Sequence, residues 1–543
     1  MNVNDDPTRI RLRKRFDVIN FLFRGHGKRR APAPPASLAA ILLFISAAAA
    51  ASELKRAPAV AGTFYPAEPS KLEAMVRKDL AGAPKPKLEG TLAAILVPHA
   101  GLEFSGPTAA RAFKAVNRGD YDAILVIGTG HYKAIPGAAL YPGDYGTPEG
   151  YFPYDKALAK SLMQASSLIV PDPEAHAREH SIEVELPFLQ ERLGKIPLVG
   201  LLMNTDDLET AKAVGAAVAK ALQGTKRRVL IVASSDQSHY PPAAFDDAVD
   251  QTTLRALETL RPGYFWLAGE LWTRQGVPHL AVTYCGQAAV TAVMSAASAL
   301  GADRVRALGH ANSFTALPAA GTERVVGYAA AAFVKTGKRT PPPWPFEKLD
   351  AKEKSTLLRA ARESLEKQAL SGAPPAAQMP DDNPLFNLPA ASFVTLTEKG
   401  ALRGCIGGLE PREPLLLSVI HNAAFAGAKD PRFTPVRPSE LPRIDLEISI
   451  LSLPRRVMDA GQVHRGEGVI LSAAGNSGVF LPQVWEKLPQ KEAFLGELCA
   501  EKAGLARDCW KDPKTRIETF TVTAFSQPGK STDGASGKKP GAP

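Results

Sequence analysis

Three apolar segments of the chain each end in polar residues that could do chemistry. The segment LAAILV runs into His99, AILVIG is followed by His131, and RVLIVASS is followed by Asp236 and His239. Imidazole and carboxylate groups bind metal ions and transfer protons. In open α/β sheets, ligands bind beyond the carboxyl ends of the strands. If the three segments are neighbouring strands, these side chains converge on one crevice.

Two further residues could join this group. Cys285 lies in TYCGQAAV, at the start of a predicted helix, where the positive helix end favours a thiolate. His180 lies in Glu179-His180-Ser181-Ile182-Glu183. The alternatives are a buried structural thiol for Cys285 and a helix cap with a charged face at His180. For Asp236 and His239 the alternative is a hydrogen-bonded turn.

The elements that would position these residues alternate between strands and helices. From Thr91 onward, short β-rich apolar runs are separated by helix-like stretches, which predicts a layered α/β module with a largely parallel sheet. The stretch EHSIEVELPFLQERL is predicted to be helical, and VVGYAAAAFV is predicted to be the last strand. The other predicted helices are about Ser105–Val116, Leu208–Leu222, Ala243–Leu260 and Gly286–Ala299.

A second module follows a Pro-rich linker. Residues 339–348 contain TPPPWPF, a rigid segment typical of a boundary between domains. An amphipathic helix at about Asp350–Leu370 and a β-richer region then predict an α+β domain over residues 349–526. The tail, residues 527–543, is rich in Gly, Ser, Lys and Pro, so we expect it to be disordered.

Within the second module, LRGCIGG could carry chemistry. Arg403 and Gly404 precede Cys405, and a cysteine flanked by glycine and a cation can have a lowered thiol pKa and admit a substrate. We predict a catalytic Cys405 with substrate binding by Arg403 and Gly404. The alternative is a β-turn that needs its glycines for geometry and buries its cysteine.

The motifs of the first module resemble those of the Memo family, called protein B of the AmmeMemoRadiSam system in bacteria. VPHAG, IGTGH, EHSIEVELPFLQ, ASSDQSHY and TYCG occur in the family's order, within residues 56–338. The resemblance implies a fold similar to class III extradiol dioxygenases. It implies His99, His131 and Cys285 as metal ligands, and Asp236 and His239 as a polar pair that lines the pocket, with His239 in the region of a general acid/base. We predict catalytic roles for Asp236 and His239 and substrate binding by His180.

The second module resembles the AMMECR family, protein A of the same system, through LRGCIGG and AAFAGAKDPRFTPVRPSELPRIDLEISILSLP. The family has no settled reaction. Its presence implies a partner domain that handles the same substrate or a linked step, and the system implies a radical SAM protein as a further partner.

These resemblances leave two functions open. One is a metal-dependent redox or dioxygenase-like enzyme, a non-haem oxidoreductase, acting on an unknown small molecule or peptide. The other is a non-catalytic ligand- or peptide-binding protein that uses the same cleft. A thiolate in place of a carboxylate makes the site softer, so iron is our prediction, with copper or zinc as alternatives.

Charge and the amino-terminal segment bear on partners and location. The formal charge is +10, of which the first thirty residues contribute nine Lys and Arg against three Asp, so the rest is nearly balanced and gives no strong nucleic-acid signal. In residues 1–51 a basic stretch precedes an apolar run of small residues, the order of a secretory signal. We therefore expect an exported or periplasmic protein. A membrane anchor or a cytoplasmic protein are the alternatives, and Cys499 and Cys509 could form a disulfide in an oxidising compartment.

Overall fold

A computed structural model of the chain describes three ranges, residues 54–338, 342–375 and 379–529. The predicted signal or anchor segment, residues 1–51, lies outside them. So do residues 339–341 of the predicted linker and residues 530–543 of the predicted tail. Within the described ranges, no helix combines the length and apolar character that a membrane span requires.

The first module is built on an eight-stranded sheet. Its strands are, in chain order, β1 (Lys55–Arg56), β2 (Thr91–Val97), β3 (Ala123–Thr129), β4 (Ile135–Leu140), β5 (Asp144–Thr147), β6 (Gly150–Phe152), β7 (Ile169–Pro171), β8 (Leu198–Asn204), β9 (Val229–Ser234), β10 (Arg304–Asn312) and β11 (Gly327–Lys335). The large sheet has the order β10-β11-β2-β9-β3-β8-β4-β7, and β1, β5 and β6 form a small second sheet.

The centre of the large sheet is parallel and its flanks are mixed. Strands β2, β9, β3 and β8 all run in one direction. Strand β11 is antiparallel to both β2 and β10, and β4 is antiparallel to β8. The layered α/β prediction is confirmed. The antiparallel flanks were not predicted, because an apolar run indicates burial on both faces and not strand direction.

Helices cover both faces of this sheet. They are α1 (Pro69–Gly82), α2 (Leu102–Phe113), α3 (Lys156–Ala165), α4 (Pro173–His176), α5 (Leu186–Leu193), α6 (Leu208–Gln223), α7 (Ala243–Glu258), α8 (Pro262–Arg274), α9 (Gln287–Ala299) and α10 (Ser313–Ala316). Successive residues of β2 alternate between two cores: Leu96 packs with α6 and α9, whereas Ile95 packs with α1, α2 and α5. The strands are therefore buried on both faces, and their carboxyl ends are left to form the crevice.

One predicted helix is shorter than expected, with a physical reason. EHSIEVELPFLQERL becomes α-helical only from Leu186, after a short 3-10 turn at Glu183–Glu185. Pro187 is tolerated in the first turn of a helix but not in its interior. Ahead of it, the Glu179 carboxylate accepts hydrogen bonds from the backbone N–H groups of His180 and Ser181, which holds this stretch as a loop.

The second module combines helices with two four-stranded antiparallel sheets. Its elements are α11 (Ala351–Ser371), α12 (Pro384–Asn387), β12 (Ala391–Glu398), β13 (Ala401–Gly407), α13 (Leu415–Ala428), β14 (Ile444–Leu451), β15 (Arg455–Val457), β16 (Gly468–Ala473), β17 (Asn476–Phe480), α14 (Val484–Lys487), α15 (Lys491–Glu497), β18 (Arg516–Phe520) and β19 (Val522–Gln527). The sheet orders are β13-β12-β14-β19 and β15-β18-β16-β17. Gln527, the first residue of the predicted tail, is the last residue of β19.

The linker takes part in a core shared by the two modules. Trp344 and Phe346 are buried with α11 and α13 of the second module and with Tyr264 of α8 in the first. The Tyr264 hydroxyl donates to the Pro389 carbonyl at 2.7 Å, and the Arg261 guanidinium lies over the Trp344 ring. The described part of the linker therefore binds the modules together as well as spacing them.

Gly215 allows the close approach of α6 and α9, and this contact can be tested. A Cβ atom at Gly215 would lie 2.3 Å from the Ala292 carbonyl oxygen. We expect Gly215→Ala to destabilise the protein by about 1–3 kcal/mol through overpacking, seen as a lower Tm. Gly224→Ala, at the end of α6, has no neighbour closer than 3.5 Å and is the control. An unchanged Tm for Gly215→Ala would contradict the tight packing.

Candidate metal centre

The predicted site residues come together at the carboxyl ends of three adjacent strands. His99 follows β2, His131 follows β3, and Asp236 and His239 follow β9, which lies between β2 and β3 in the sheet. Cys285 precedes α9, and its backbone N–H donates to the Asp236 carbonyl at 3.3 Å. The convergence inferred from the sequence is therefore present in the structure.

Three imidazoles and one thiol form the cluster. His99 Nε2 lies 3.1 Å from Cys285 Sγ. The ring centroids of His99 and His131 are 5.2 Å apart, and those of His131 and His180 are 4.6 Å apart. Ligand atoms of His99, His131 and His180 lie within 4.8 Å of one another, and so do those of His99, Asp236 and Cys285. Both sets have a spacing that one metal ion could bridge.

The outer nitrogens of His99 and His131 are held by oxygen atoms behind the cluster. His99 Nδ1 is 2.9 Å from Ser234 Oγ, which in turn lies 2.9 Å from a Glu185 carboxylate oxygen. His131 Nδ1 is 2.9 Å from Glu179 Oε1. An imidazole whose Nδ1–H is bound in this way presents Nε2 for coordination, as metal-ligating histidines do.

The electrostatics of the cluster pair a thiolate with imidazolium groups. Burial alone would raise the pKa of the Cys285 thiol, but His99, His131 and His239 outweigh it, and the pKa lies well below its usual value. Burial alone would lower the pKa of His99, yet the Cys285 thiolate and Asp236 raise it to about 10. Burial would also lower the pKa of His131, but Cys285 and Glu179 outweigh it and raise that pKa to about 9. Imidazole nitrogen and thiolate sulfur in contact, as at His99 Nε2 and Cys285 Sγ, form a donor set that fits a metal cation.

Asp236 and His239 have different surroundings. Asp236 Oδ1 accepts hydrogen bonds from the backbone N–H groups of His99 and Ala100, so this carboxylate fixes the turn that carries His99. His239 Nε2 is buried and lies 3.9 Å from Asp236 Oδ2, without a hydrogen bond of ordinary geometry. Burial would lower the pKa of His239, but Cys285 and Asp236 outweigh it and raise that pKa.

His180 belongs to the same cluster of rings. It stacks on His131 and lies against Phe64, with ring centroids 4.5 Å apart. Burial, followed by the positive charge of His99, lowers the pKa of His180 to about 3, so the ring is neutral. Its Nδ1 atom is buried without a hydrogen-bond partner. The predicted role in substrate binding stays a prediction, and the position of the ring is compatible with it.

Comparison with known proteins identifies the two modules. The model of the Memo family, described as Memo-like protein, matches residues 56–332. MEMO1 family proteins of Methanopyrus kandleri and Thermoplasma acidophilum are each 32% identical to the chain. These matches span 52% and 51% of this chain and 99% and 98% of the relatives. The chain belongs to the Memo family.

The AMMECR1 family model matches residues 358–525, so an AMMECR1 domain follows the Memo domain in tandem. Both resemblances inferred from the sequence are confirmed. Uncharacterised proteins of Pyrococcus horikoshii and Escherichia coli K12 with solved structures align at 33% and 16% identity, each with a TM-score of 0.30. The alignment with the first protein spans 32% of this chain and 91% of that protein. The alignment with the second spans 43% of this chain and 98% of that protein.

The Memo domain also uses carboxylates that sequence reasoning missed. Glu179, Glu183 and Glu185 are all buried, although their spacing resembles the charged face of a helix. Glu183 accepts hydrogen bonds from the backbone N–H groups of residues 59 and 60 and pairs with Arg56 at 2.6 Å. The sequence signal for these buried carboxylates was the dense run of acidic residues beside His180. Carboxylates are rarely buried unless they are paired, so such a run indicates specific partners.

In the AMMECR1 domain the predicted residues lie on β13. The Cys405 backbone N–H donates to Asp430 Oδ2 at 2.8 Å, and its sulfur accepts from Thr395 Oγ1 at 3.4 Å. Gly404 faces the Ala426 carbonyl, which a Cβ atom would meet at 2.2 Å.

The cation predicted beside Cys405 already has a partner. The Arg403 guanidinium is bound to Glu440 at 2.8 Å and to the Thr434 carbonyl at 2.9 Å. The nearer guanidinium is that of Arg432, which donates to the Cys405 carbonyl at 3.5 Å and pairs with Asp430 at 2.7 Å. The catalytic and substrate-binding roles of Arg403, Gly404 and Cys405 stay predictions.

The support of His131 by Glu179 yields a test of the metal centre. Glu179→Gln keeps the size of the side chain but removes the charge that polarises His131. We expect the affinity of the purified full chain for Zn²⁺, measured by competition with a chelator, to fall about 10- to 100-fold. Glu174→Gln, at an exposed carboxylate paired with Lys133, is the matched control. Equal affinities for both variants would show that Glu179 does not support a ligand.

Proposed function

We propose that the Memo domain is a metal-dependent redox enzyme of a dioxygenase-like type, with His99, His131 and Cys285 as metal ligands. The observation that carries the proposal is the 3.1 Å approach of His99 Nε2 to Cys285 Sγ, in a cluster where the outer nitrogen of each ligand histidine is already bound. This arrangement supports coordination because Cys285 and His131 both lie beside His99: the sulfur is 3.1 Å from His99 Nε2, and the two ring centroids are 5.2 Å apart.

The donor set favours a borderline or soft metal. Two imidazoles and a thiolate suit iron, copper or zinc better than magnesium or calcium, which prefer oxygen ligands. We propose iron, which when bound supplies redox chemistry and Lewis acidity. Positioning of the ligands and proton transfer are proposed for the side chains around the metal.

The neighbouring side chains divide that work between positioning and proton transfer. Asp236 holds the His99 turn through two backbone N–H groups. His239 has a buried, unpartnered Nε2 atom beside Asp236 and the cluster, so it is the proposed group that gives a proton to a substrate or takes one from it. His180, a neutral imidazole beside His131, is proposed to hydrogen-bond the substrate.

The enzyme proposal is tested by oxygen consumption. The full chain is reconstituted with Fe²⁺ under anaerobic conditions and then exposed to oxygen with ascorbate as reductant. We expect oxygen consumption above that of free iron for the wild type, and its loss, by at least about 100-fold, in His131→Ala. His464→Ala, an exposed histidine of the second domain, should behave as the wild type.

Two results would overturn the proposal. A wild-type chain that binds no metal after reconstitution removes its basis. Metal-dependent oxygen consumption that persists in His131→Ala would place the reaction elsewhere. Tight ligand binding that is independent of metal, without turnover, would instead favour the non-catalytic binding protein.

The AMMECR1 domain is proposed to act on the same substrate or on a linked step. Tethering raises effective concentration only where the two domains share a substrate or product. The core formed by Trp344, Phe346 and Tyr264 supports this interpretation, because it keeps the domains together. A radical SAM protein is the proposed further partner if the chain is cytoplasmic.

For location, we propose export to an oxidising compartment. Cys499 and Cys509 are joined by a disulfide, and structural disulfides are rare in the cytosol of most organisms. The basic and apolar order of residues 1–51 supports the same proposal.

Fractionation of cells that express the native gene tests this location. We expect the protein in the periplasmic or secreted fraction, with an amino terminus near Ser52 and a mass that shows the oxidised Cys499–Cys509 pair. An intact Met1 in the soluble cytosolic fraction would contradict export. A full-length protein in the membrane fraction would favour the anchor instead.

A further inference from the structure

Two histidines at the candidate metal centre are each followed by an exposed tyrosine, and an arginine guanidinium lies over each tyrosine ring. Tyr132 follows His131, with ring centroids 6.5 Å apart, and the Arg178 guanidinium lies 5.0 Å from the Tyr132 ring. Tyr240 follows His239, with ring centroids 5.4 Å apart. A second guanidinium, that of Arg324, lies 4.7 Å from the Tyr240 ring. The same His–Tyr–Arg sequence of contacts thus occurs twice around one cluster.

Both arginines belong to segments that hold the histidines in place. Arg178 precedes Glu179, whose carboxylate binds the Nδ1 atom of His131. Arg324 precedes Val325, whose carbonyl accepts the Tyr240 backbone N–H at 2.7 Å. The backbones of Arg178 and Arg324 are therefore connected to the centre through short stretches of chain.

Tyr240 adopts a backbone conformation that a tyrosine seldom takes. Its φ is 72°, in the left-handed region, which costs energy for a residue with a bulky side chain. The hydrogen bond to Val325 and the pairing of His239 with Val282 hold this conformation. Strain of this kind is found where a side chain must be aimed for function. Here it directs a ring that is 40% exposed to a position under Arg324.

The arginines retain their charge and their hydrogen-bond donors. Among the residues that the structure describes, neither Arg178 nor Arg324 pairs with a carboxylate, whereas Arg56 and Arg403 do. A guanidinium that stacks on a ring uses its face, so its in-plane N–H groups stay free to bind an oxyanion in a bidentate manner. The tyrosine rings also reduce the freedom that each arginine would lose on binding.

We propose that the substrate of the metal centre is a small organic anion, whose carboxylate or phosphate groups are bound by Arg178 and Arg324 at the mouth of the centre, the surface formed by the exposed rings of Tyr132 and Tyr240. This inference rests on the proposed function, because it concerns the substrate of the same site. Arg178 and Arg324 are exposed, whereas the carboxylates of Glu179 and Asp236 are buried. An anion is therefore attracted to the mouth and kept apart from the negative groups inside.

The test uses a charged probe and its neutral counterpart. Binding of benzene-1,3-dicarboxylate and of the matching diamide to the metal-free full chain is measured by NMR saturation transfer. We expect the dicarboxylate to bind and the diamide to bind at least about ten-fold more weakly. Added NaCl should weaken the dicarboxylate only. Phenyl phosphate, run in parallel, shows by its relative affinity whether the site prefers phosphate or carboxylate.

Variants locate the binding to the mouth. The double variant Arg178→Gln, Arg324→Gln should lose at least about ten-fold in affinity for the dicarboxylate. The matched control is Arg306→Gln, which removes an exposed cation on β10 and should bind as the wild type. The proposal is overturned if the wild type binds neither anion, if the diamide binds equally well, or if the double variant binds as the wild type.

Zn²⁺ affinity, measured on the same variants, separates this inference from the proposed function. We expect it to change less than about three-fold in the double variant, since the arginines are not ligands. A chain that binds Zn²⁺ but shows no arginine-dependent anion binding retains the metal centre and loses the anion site. A chain that binds the dicarboxylate through the arginines but no metal retains the anion site alone.

Discussion

A partly buried thiolate must have positive charge beside it, and the arrangement of the centre follows from meeting that need at Cys285. Moving an anion out of water costs several kcal/mol, and contact with a group of opposite charge offsets part of that cost. Burial raises the pKa of the sulfur, but His99, His131 and His239 outweigh it and lower that pKa. Each ligand imidazole then needs an acceptor for its other nitrogen, which Ser234 and Glu179 provide. A metal ion would enter an environment already arranged for a cation between nitrogen and sulfur.

The buried carboxylates extend the same pattern outward. Burial, partly offset by His99 and Ser234, raises the pKa of Glu185 to about 8. Glu179 differs because His131 and several backbone N–H groups outweigh its burial and lower its pKa to about 2. Negative charge is therefore favoured at Glu179 behind His131, whereas burial favours the protonated form of Glu185 behind Ser234. The two ligand histidines thus differ in the strength of their support, although they look alike in sequence.

The sequence predicted the elements of the Memo domain and the ligand candidates, because both depend on local pattern. Apolar runs that end in His99 and His131 indicate strand ends, and motif resemblance added Cys285. The partners could not be predicted in this way: Glu179 and Arg56 gain their roles from contacts between segments far apart in the chain. For the same reason the sequence did not reveal that Arg403 is paired with Glu440, or that Trp344 and Phe346 of a Pro-rich linker are buried.

The packing between the two domains reaches the segment that carries the thiolate. Tyr264 of α8 lies in the core shared with the AMMECR1 domain, and its neighbour Phe265 packs edge-on against Tyr284 with ring centroids 5.0 Å apart. Tyr284 directly precedes Cys285. The Gln287 side chain, two residues beyond Cys285, donates to the Trp266 carbonyl of α8 at 3.0 Å. Helix α8 therefore contacts the residues before and after Cys285, Tyr284 and Gln287, while its Tyr264 side chain packs in the shared core. Close-packed interiors leave little free volume. The second domain therefore packs against the same helix that contacts the Cys285 segment.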